Sequence, residues 1–178
     1  EGLTRFGLRQ IGQSIADLGR IARSVEHVRS ADAQHALLTD RVQTMVAEVA
    51  MALRDSTKGV PKGDKAAKAV AQAAAFNAQQ HTLIEAARAH GELLQWEAFT
   101  EELSRFDGDT LKAMTWLRDL FGLTLIERHA TWYLVNGRLS GSRVEAVSAY
   151  IGRLIGRVRE VALELVEAFG AHPRAAAR

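Results

Sequence analysis

Residues 142–170 read SRVEAVSAYIGRLIGRVREVALELVEAFG, and this stretch decides the fold. Val144, Val147, Ile151, Leu154, Val158, Val161 and Leu165 recur at alternating steps of three and four residues. That rhythm places them on one stripe of an α-helix. Ile155, Ala162 and Phe169 widen the stripe, while Arg153, Arg157, Arg159, Glu160, Glu164 and Glu167 mark the wet side. Ser142-Arg143-Val144-Glu145 has the form of a capping box at its start. Gly170 stops the helix and Pro173 follows. A helix this one-sided must bury its stripe against other elements.

The rest of the chain offers elements of the same kind. Ala is the commonest residue, Pro occurs only at Pro61 and Pro173, and no stretch alternates apolar with polar as a strand does. A first helical pattern covers residues 9–29, with Ile11, Ile15, Leu18, Val25 and Val28 at helical spacing and Gly12 and Gly19 weakening it. A second covers 32–55, with Asp32 as N-cap and Leu38, Val42, Met45, Val49 and Ala52 on one face. Lys58-Gly59-Val60-Pro61-Lys62-Gly63 then forms the clearest loop. Asp64 caps a third helix that meets no stop signal until Phe106. Its first half is Ala-rich, and its second half carries Leu83, Ile84, Leu93, Leu94, Trp96, Phe99 and Leu103. Asp107-Gly108-Asp109 ends it, with Asp109 as the next cap. A fourth helix, 111–134, has apolar residues nearly all round, from Leu111 to Tyr133, which predicts a buried, central position. Asn136-Gly137 is a left-handed stop. The sum is an all-α fold, an antiparallel bundle of about five helices, ending in a frayed tail over 171–178.

Composition narrows the class. The chain has 178 residues, 47% apolar and 25% charged, with 23 Lys and Arg against 21 Asp and Glu. That length suits one domain. The net charge of +2 gives no basic block of the kind a nucleic-acid binder shows. There is no Cys, hence no disulfide framework and no Cys-based zinc site. No apolar run approaches the roughly 18 residues of a membrane span. The first residue is Glu, and no signal-peptide pattern follows it, so the expectation is a processed chain or a piece of a longer one. The C-terminal Ala-Ala-Ala-Arg is not a peroxisomal address. With the Ala/Arg-rich usage, this points to a bacterial cytoplasmic protein.

Chemistry-bearing motifs are scarce. No phosphate loop, His-Glu-x-x-His or paired Glu-x-x-His occurs. His27, His35, His81, His90, His129 and His172 share no metal-ligand spacing, so no metal residues are assigned. His81 and His90, nine positions apart on the third helix, are expected on one side. Glu127 follows Leu123-Thr124-Leu125-Ile126 on the helix expected to be buried. A buried carboxylate pairs or shifts its pKa. The ordinary reading is an ion pair with Arg88, Arg138 or Arg143; the functional one is an acid or base. Trp96, Trp116, Trp132 and Tyr133 read as core before they read as a cofactor surface. Lys58, Lys62, Lys65 and Lys68 cluster around a loop, a solvated feature unless an anion such as a nucleotide phosphate binds there.

From Asn77 onward the chain resembles the C-terminal domain of acyl-CoA oxidases. Gln80-His81, Ala86-Ala87-Arg88-Ala89-His90 and Glu97-Ala98-Phe99 resemble one helix of that family. Leu117-Arg118-Asp119-Leu120-Phe121-Gly122-Leu123 and Ile126-Glu127 resemble the next. Trp132-Tyr133-Leu134, Gly137-Arg138-Leu139-Ser140 and the closing Leu165-Val166-Glu167-Ala168-Phe169-Gly170 complete the series in register. Residues 32–76 match more loosely and 1–31 hardly at all, so 32–170 is the family-like bundle. Two departures stand out: Gly141 replaces the family's Pro after the Ser, and Gln80 replaces its Asp before His81.

The resemblance implies a flavoenzyme parent. The family binds FAD and desaturates acyl-CoA to trans-2-enoyl-CoA in fatty acid β-oxidation; oxygen reoxidises the flavin and yields hydrogen peroxide. Its catalytic Glu and most of its flavin site belong to upstream domains, so no catalytic residue is carried over and the isolated chain is expected to be inactive, without bound FAD. The implied role is to support the catalytic domain and the homodimer. The alternative from the residues alone is a stand-alone helical module whose last helix, with its seven-residue repeat, pairs with a partner helix.

Overall fold

The computed structural model describes residues 28–61 and 63–168. Among them are seven α-helices and no strand: α1 Ala31–Asp55, α2 Lys65–Ala78, α3 Gln80–Glu102, α4 Gly108–Arg128, α5 Ala130–Val135, α6 Gly141–Glu160 and α7 Ala162–Ala168. A 3-10 turn, Leu103–Arg105, follows α3. Five of the helices run 14 residues or more, and the all-α reading holds. The helix read at 9–29 and the tail at 171–178 lie outside the described residues, as do Phe169 and Gly170. The chain divides into two compact units, Glu1–Gln95 and Trp96–Arg178, with the boundary inside α3.

In the first unit, α1 begins two residues earlier than its sequence cap implied. Ser30, not Asp32, is the N-cap: its hydroxyl accepts from the Ala33 amide at 3.2 Å, and Asp32 lies in the first turn, where a carboxylate complements the helix dipole. The buried face of α1 is Ala33, Gln34, Leu37, Leu38, Asp40, Arg41, Met45 and Val49. The expected face contained Leu38, Met45 and Val49, but Val42 is only half-buried and Arg41 takes the core position. Asp64 caps α2 as read, accepting from the Ala67 amide at 2.8 Å. Half-buried Ala67, Ala71 and Ala75, spaced every fourth residue, line one face of α2, and the helix packs on α1 without burying any side chain fully.

The single helix expected over 64–106 is two. Gln79 (φ −96°, ψ 4°) interrupts it, its amide directed at the carbonyls of Ala75, Phe76 and Asn77. In the second unit, Asp107 rather than Asp109 precedes α4, and Asp109 sits in the first turn. The expected helix 111–134 also breaks, at His129, so Trp132 and Tyr133 belong to the short α5. Gly137 (φ 65°) then closes α5 as anticipated. Its amide donates to the Leu134 carbonyl at 3.1 Å and the Arg138 amide donates to Tyr133 at 2.8 Å, the paired bonds of a Schellman stop.

Ser140, not Ser142, is the N-cap residue of α6, so the capping-box reading fails. The stripe itself holds. Val147, Ile151 and Leu154 are buried, and α6 packs along α4. Two contacts fix the direction: Ser148 meets Glu127, and Arg157 meets Trp116, so residue numbers rise on one helix as they fall on the other. The pair is antiparallel. Ile155 is 52% exposed and does not widen the buried stripe. α6 gives way to α7 at Val161; the stripe residues Val158, Val161 and Leu165 are half-buried, while Leu163 and Val166 face solvent. α4 is less buried than its composition implied: Leu123, Leu125 and Ile126 are core, while Met114, Trp116, Leu117, Leu120 and Phe121 are half-buried and Leu111 is exposed.

Candidate functional site

Two buried charge clusters are the chemically richest places in the chain, one in each unit. In the first, Arg41 has a side chain only 3% exposed. Its Nη1 lies 3.1 Å from Glu92 Oε2 and its Nη2 lies 3.8 Å from Glu85 Oε2. Glu85 and Glu92 stand seven residues apart on α3, two turns on one face, so a single guanidinium reaches both. Arg88 Nη1 adds a bond to Glu85 at 2.7 Å from the exposed side. Burying a cation is expensive unless it is paired. The two glutamates supply that pairing, although Arg41 Nε and Thr39 Oγ1 remain buried without a hydrogen-bond partner. The cluster ties α1 to α3.

In the second unit, Arg118 is 6% exposed and Asp119 7%. Arg118 Nε donates to Asp119 Oδ1 at 2.9 Å, and its Nη1 reaches Thr100 Oγ1 at 3.4 Å. Its guanidinium carbon sits 5.3 Å from the centre of the buried Trp96 ring, within cation–π range. Thr100 is held in place by its own bond to the Trp96 carbonyl at 2.8 Å. Both clusters can orient helices and hold charge inside the fold. Neither brings a nucleophile beside a base.

Glu127 does not join either cluster. It is half-buried, and the hydroxyl of Ser148 on α6 donates to its Oε1, in the place for which Arg88, Arg138 and Arg143 were the candidates. Arg88 binds Glu85, and Arg138 Nη1 donates to the Asn136 carbonyl at 3.2 Å. The histidines are dispersed: His81 and His90 are exposed, and His35 and His129 half-buried. Nine residues make two and a half helical turns, so His81 and His90 stand on opposite sides of α3, not on one. His27 and His172 lie outside the described residues. Among the described residues, no group of three or more His, Asp or Glu could hold a metal ion.

The aromatic residues divide. Trp96 and Tyr133 are core, while Trp116 and Trp132 are half-buried. Trp132 and Tyr133 meet edge to face at 5.2 Å. Around the loop, Thr57, Val60, Pro61, Gly63, Asp64, Lys65 and Lys68 line an open depression of about 400 Å³. Lys58 is paired with Asp55 at 2.8 Å, and Lys62 lies outside the described residues. The start of α2 faces this depression, where the Asp64 carboxylate takes the Ala67 amide and Lys65 and Lys68 stand beside it.

The buried charges are what sequence reasoning missed. Arg41 had a signal: it stands four residues from Leu37 and from Met45, on the apolar stripe itself. Glu85 and Glu92 carried none beyond their seven-residue spacing. Among the described residues, no helix is long and apolar enough to cross a membrane. The model of the acyl-CoA oxidase family matches residues 34–174. No curated protein and no solved structure matches the chain.

Proposed function

The chain belongs to the acyl-CoA oxidase family, and from that premise we propose that it is the C-terminal helical domain of an FAD-dependent acyl-CoA oxidase. In this reading it supports the catalytic domain and the homodimer and lacks the catalytic base. The parent converts acyl-CoA to trans-2-enoyl-CoA and passes the electrons through FAD to oxygen, forming hydrogen peroxide. FAD is held by other domains of the parent, and no residue of this chain acts on substrate.

One observation carries the supporting role. Val70 on α2 is 71% exposed, and Phe76, Ile84 and Leu94 stay near half exposed on α2 and α3. Ile84, Ala87, Gly91 and Leu94 follow a three-four-three spacing along α3, on the side away from the buried Ala86, Ala89 and Leu93. An apolar surface of this kind marks a place for other protein to pack.

The test has two parts. Chain 1–178 alone, given acyl-CoA, FAD and oxygen, is expected to form no peroxide and to leave flavin fluorescence unquenched. The native reading frame upstream of Glu1 is expected to encode a flavin-binding domain with a catalytic Glu. Acyl-CoA-dependent peroxide from the chain alone would overturn the division of roles. A start codon immediately before Glu1 would overturn the parent enzyme.

A further inference from the structure

The flank of α6 nearest α4 carries a positive surface that the buried clusters do not use. Arg153 Cζ lies 5.3 Å from the centre of the Tyr150 ring. Arg157 Cζ lies 5.7 Å from the Trp116 ring, which also takes Lys112 Nζ at 5.3 Å. Lys112, Arg153 and Arg157 are exposed, and none forms an ion pair with a described residue. Arg153 and Arg157 stand one helical turn apart, a like-charge spacing that weakens a helix. The half-buried rings hold the three cations in place and compensate their charge only in part.

We infer that this surface binds an acidic segment of a protein partner, whose carboxylates pair with Arg153, Arg157 and Lys112. The planar guanidinium fork matches a carboxylate in two-point geometry. Cations already cover Trp116 and Tyr150, so those rings do not offer the open faces on which nucleic-acid bases stack. The rest of the chain is nearly balanced in charge, with no long basic stripe to follow a phosphate backbone. Because the rings preorganise the cations, Lys112, Arg153 and Arg157 lose little side-chain freedom when an acidic partner docks. The inference stands on these contacts and not on the family.

The experiment uses chain 1–178 and a fluorescein-labelled oligoglutamate peptide, read by fluorescence anisotropy at low salt. Binding is expected, and added salt should weaken it. The Arg153→Gln/Arg157→Gln pair should cost about tenfold in affinity, the scale of two exposed ion pairs. Arg153→Lys/Arg157→Lys should retain more binding than the Gln pair, and Lys65→Gln/Lys68→Gln should bind like the parent. Far-UV circular dichroism checks each fold. Should the Gln pair unfold, Arg157→Gln alone carries the test, with a loss of about threefold. No binding by the parent, equal binding by the folded Gln variants, or tighter binding of a single-stranded oligonucleotide of equal charge would each overturn the inference.

Discussion

Replacing Arg41 with Met isolates the energetic role of the buried cluster in the first unit. The substitution keeps much of the apolar stem and removes the guanidinium. It leaves Glu85 and Glu92 facing each other without the cation between them. Breaking a fully buried pair costs about 3–5 kcal/mol, because the remaining charge has lost its compensation. Here the glutamate side chains keep 23% and 18% of their exposure, so water can reach them, and Arg88 still serves Glu85. These features put Arg41→Met at the low end, about 3 kcal/mol. Glu92→Gln retains an acceptor for Arg41 and leaves Glu85 in place, so it should cost about 1–2 kcal/mol. The combined Arg41→Met/Glu92→Gln variant relieves the uncompensated charge and should lie at least about 1 kcal/mol above the sum of the single losses in stability. Urea unfolding followed by far-UV circular dichroism measures all three, with an unchanged slope as the sign that the states themselves are preserved. An Arg41→Met protein as stable as the parent would refute the reasoning, since it would mean that an apolar side chain serves this place equally well.

Three further outcomes are expected. Leu154→Ala removes a fully buried side chain from the α4–α6 contact and should lower stability by about 3 kcal/mol; a loss under about 1 kcal/mol would mean that the two helices repack around the gap. Gly137→Ala forces an L side chain into φ 65° and should cost about 1 kcal/mol in the same urea assay, whereas an unchanged midpoint would deny the Schellman stop its strain. Asp55 has its carboxyl held below 3.8, first by the hydrogen bond from Lys58, against the opposing effect of desolvation, then by the charge of Lys58 and by the hydrogen bond and charge of Arg54. A depressed carboxylate contributes fully above its unfolded pKa and loses that contribution as pH falls through the folded one, so the effect belongs to the acid range below about pH 4. Lys58→Gln should move the Asp55 carboxyl back up towards 3.8 in an NMR titration; no movement would show that the pair does not form in solution.

Sequence rhythm was a good guide where burial is one-sided and a poor one where it is not. The α6 stripe was readable because Val147, Ile151 and Leu154 sit among charged neighbours, and that contrast carries the helical period. The break at Gln79 was not readable: Gln79 and Gln80 are sound helix formers, with no Gly or Pro to mark an end. The same holds for His129, where α4 gives way to α5 inside an apolar run. Arg41 escaped because a charged residue on an apolar stripe reads as surface until its two glutamates are found on another helix. Glu127 misled in the opposite sense. Its apolar neighbours implied a deeply buried acid, yet it is half-buried and answered by one serine hydroxyl. The family resemblance read from Asn77 onward overlaps the longer match over 34–174, which also takes in α1 and α2, where the motifs were looser.

The half-buried alanines of α2 have a kinetic consequence. With Ala67, Ala71 and Ala75 as its main inward residues and no side chain fully buried, α2 has little to lose by opening. Its amide protons should trade with solvent deuterium far sooner than those of α6, whose opening must expose Val147, Ile151 and Leu154. A neighbour that covers Val70 and Phe76 would bind only the closed helix and so slow that trade in proportion to its occupancy. The isotope uptake of one fourteen-residue helix is therefore a gauge of assembly, readable before any partner is identified.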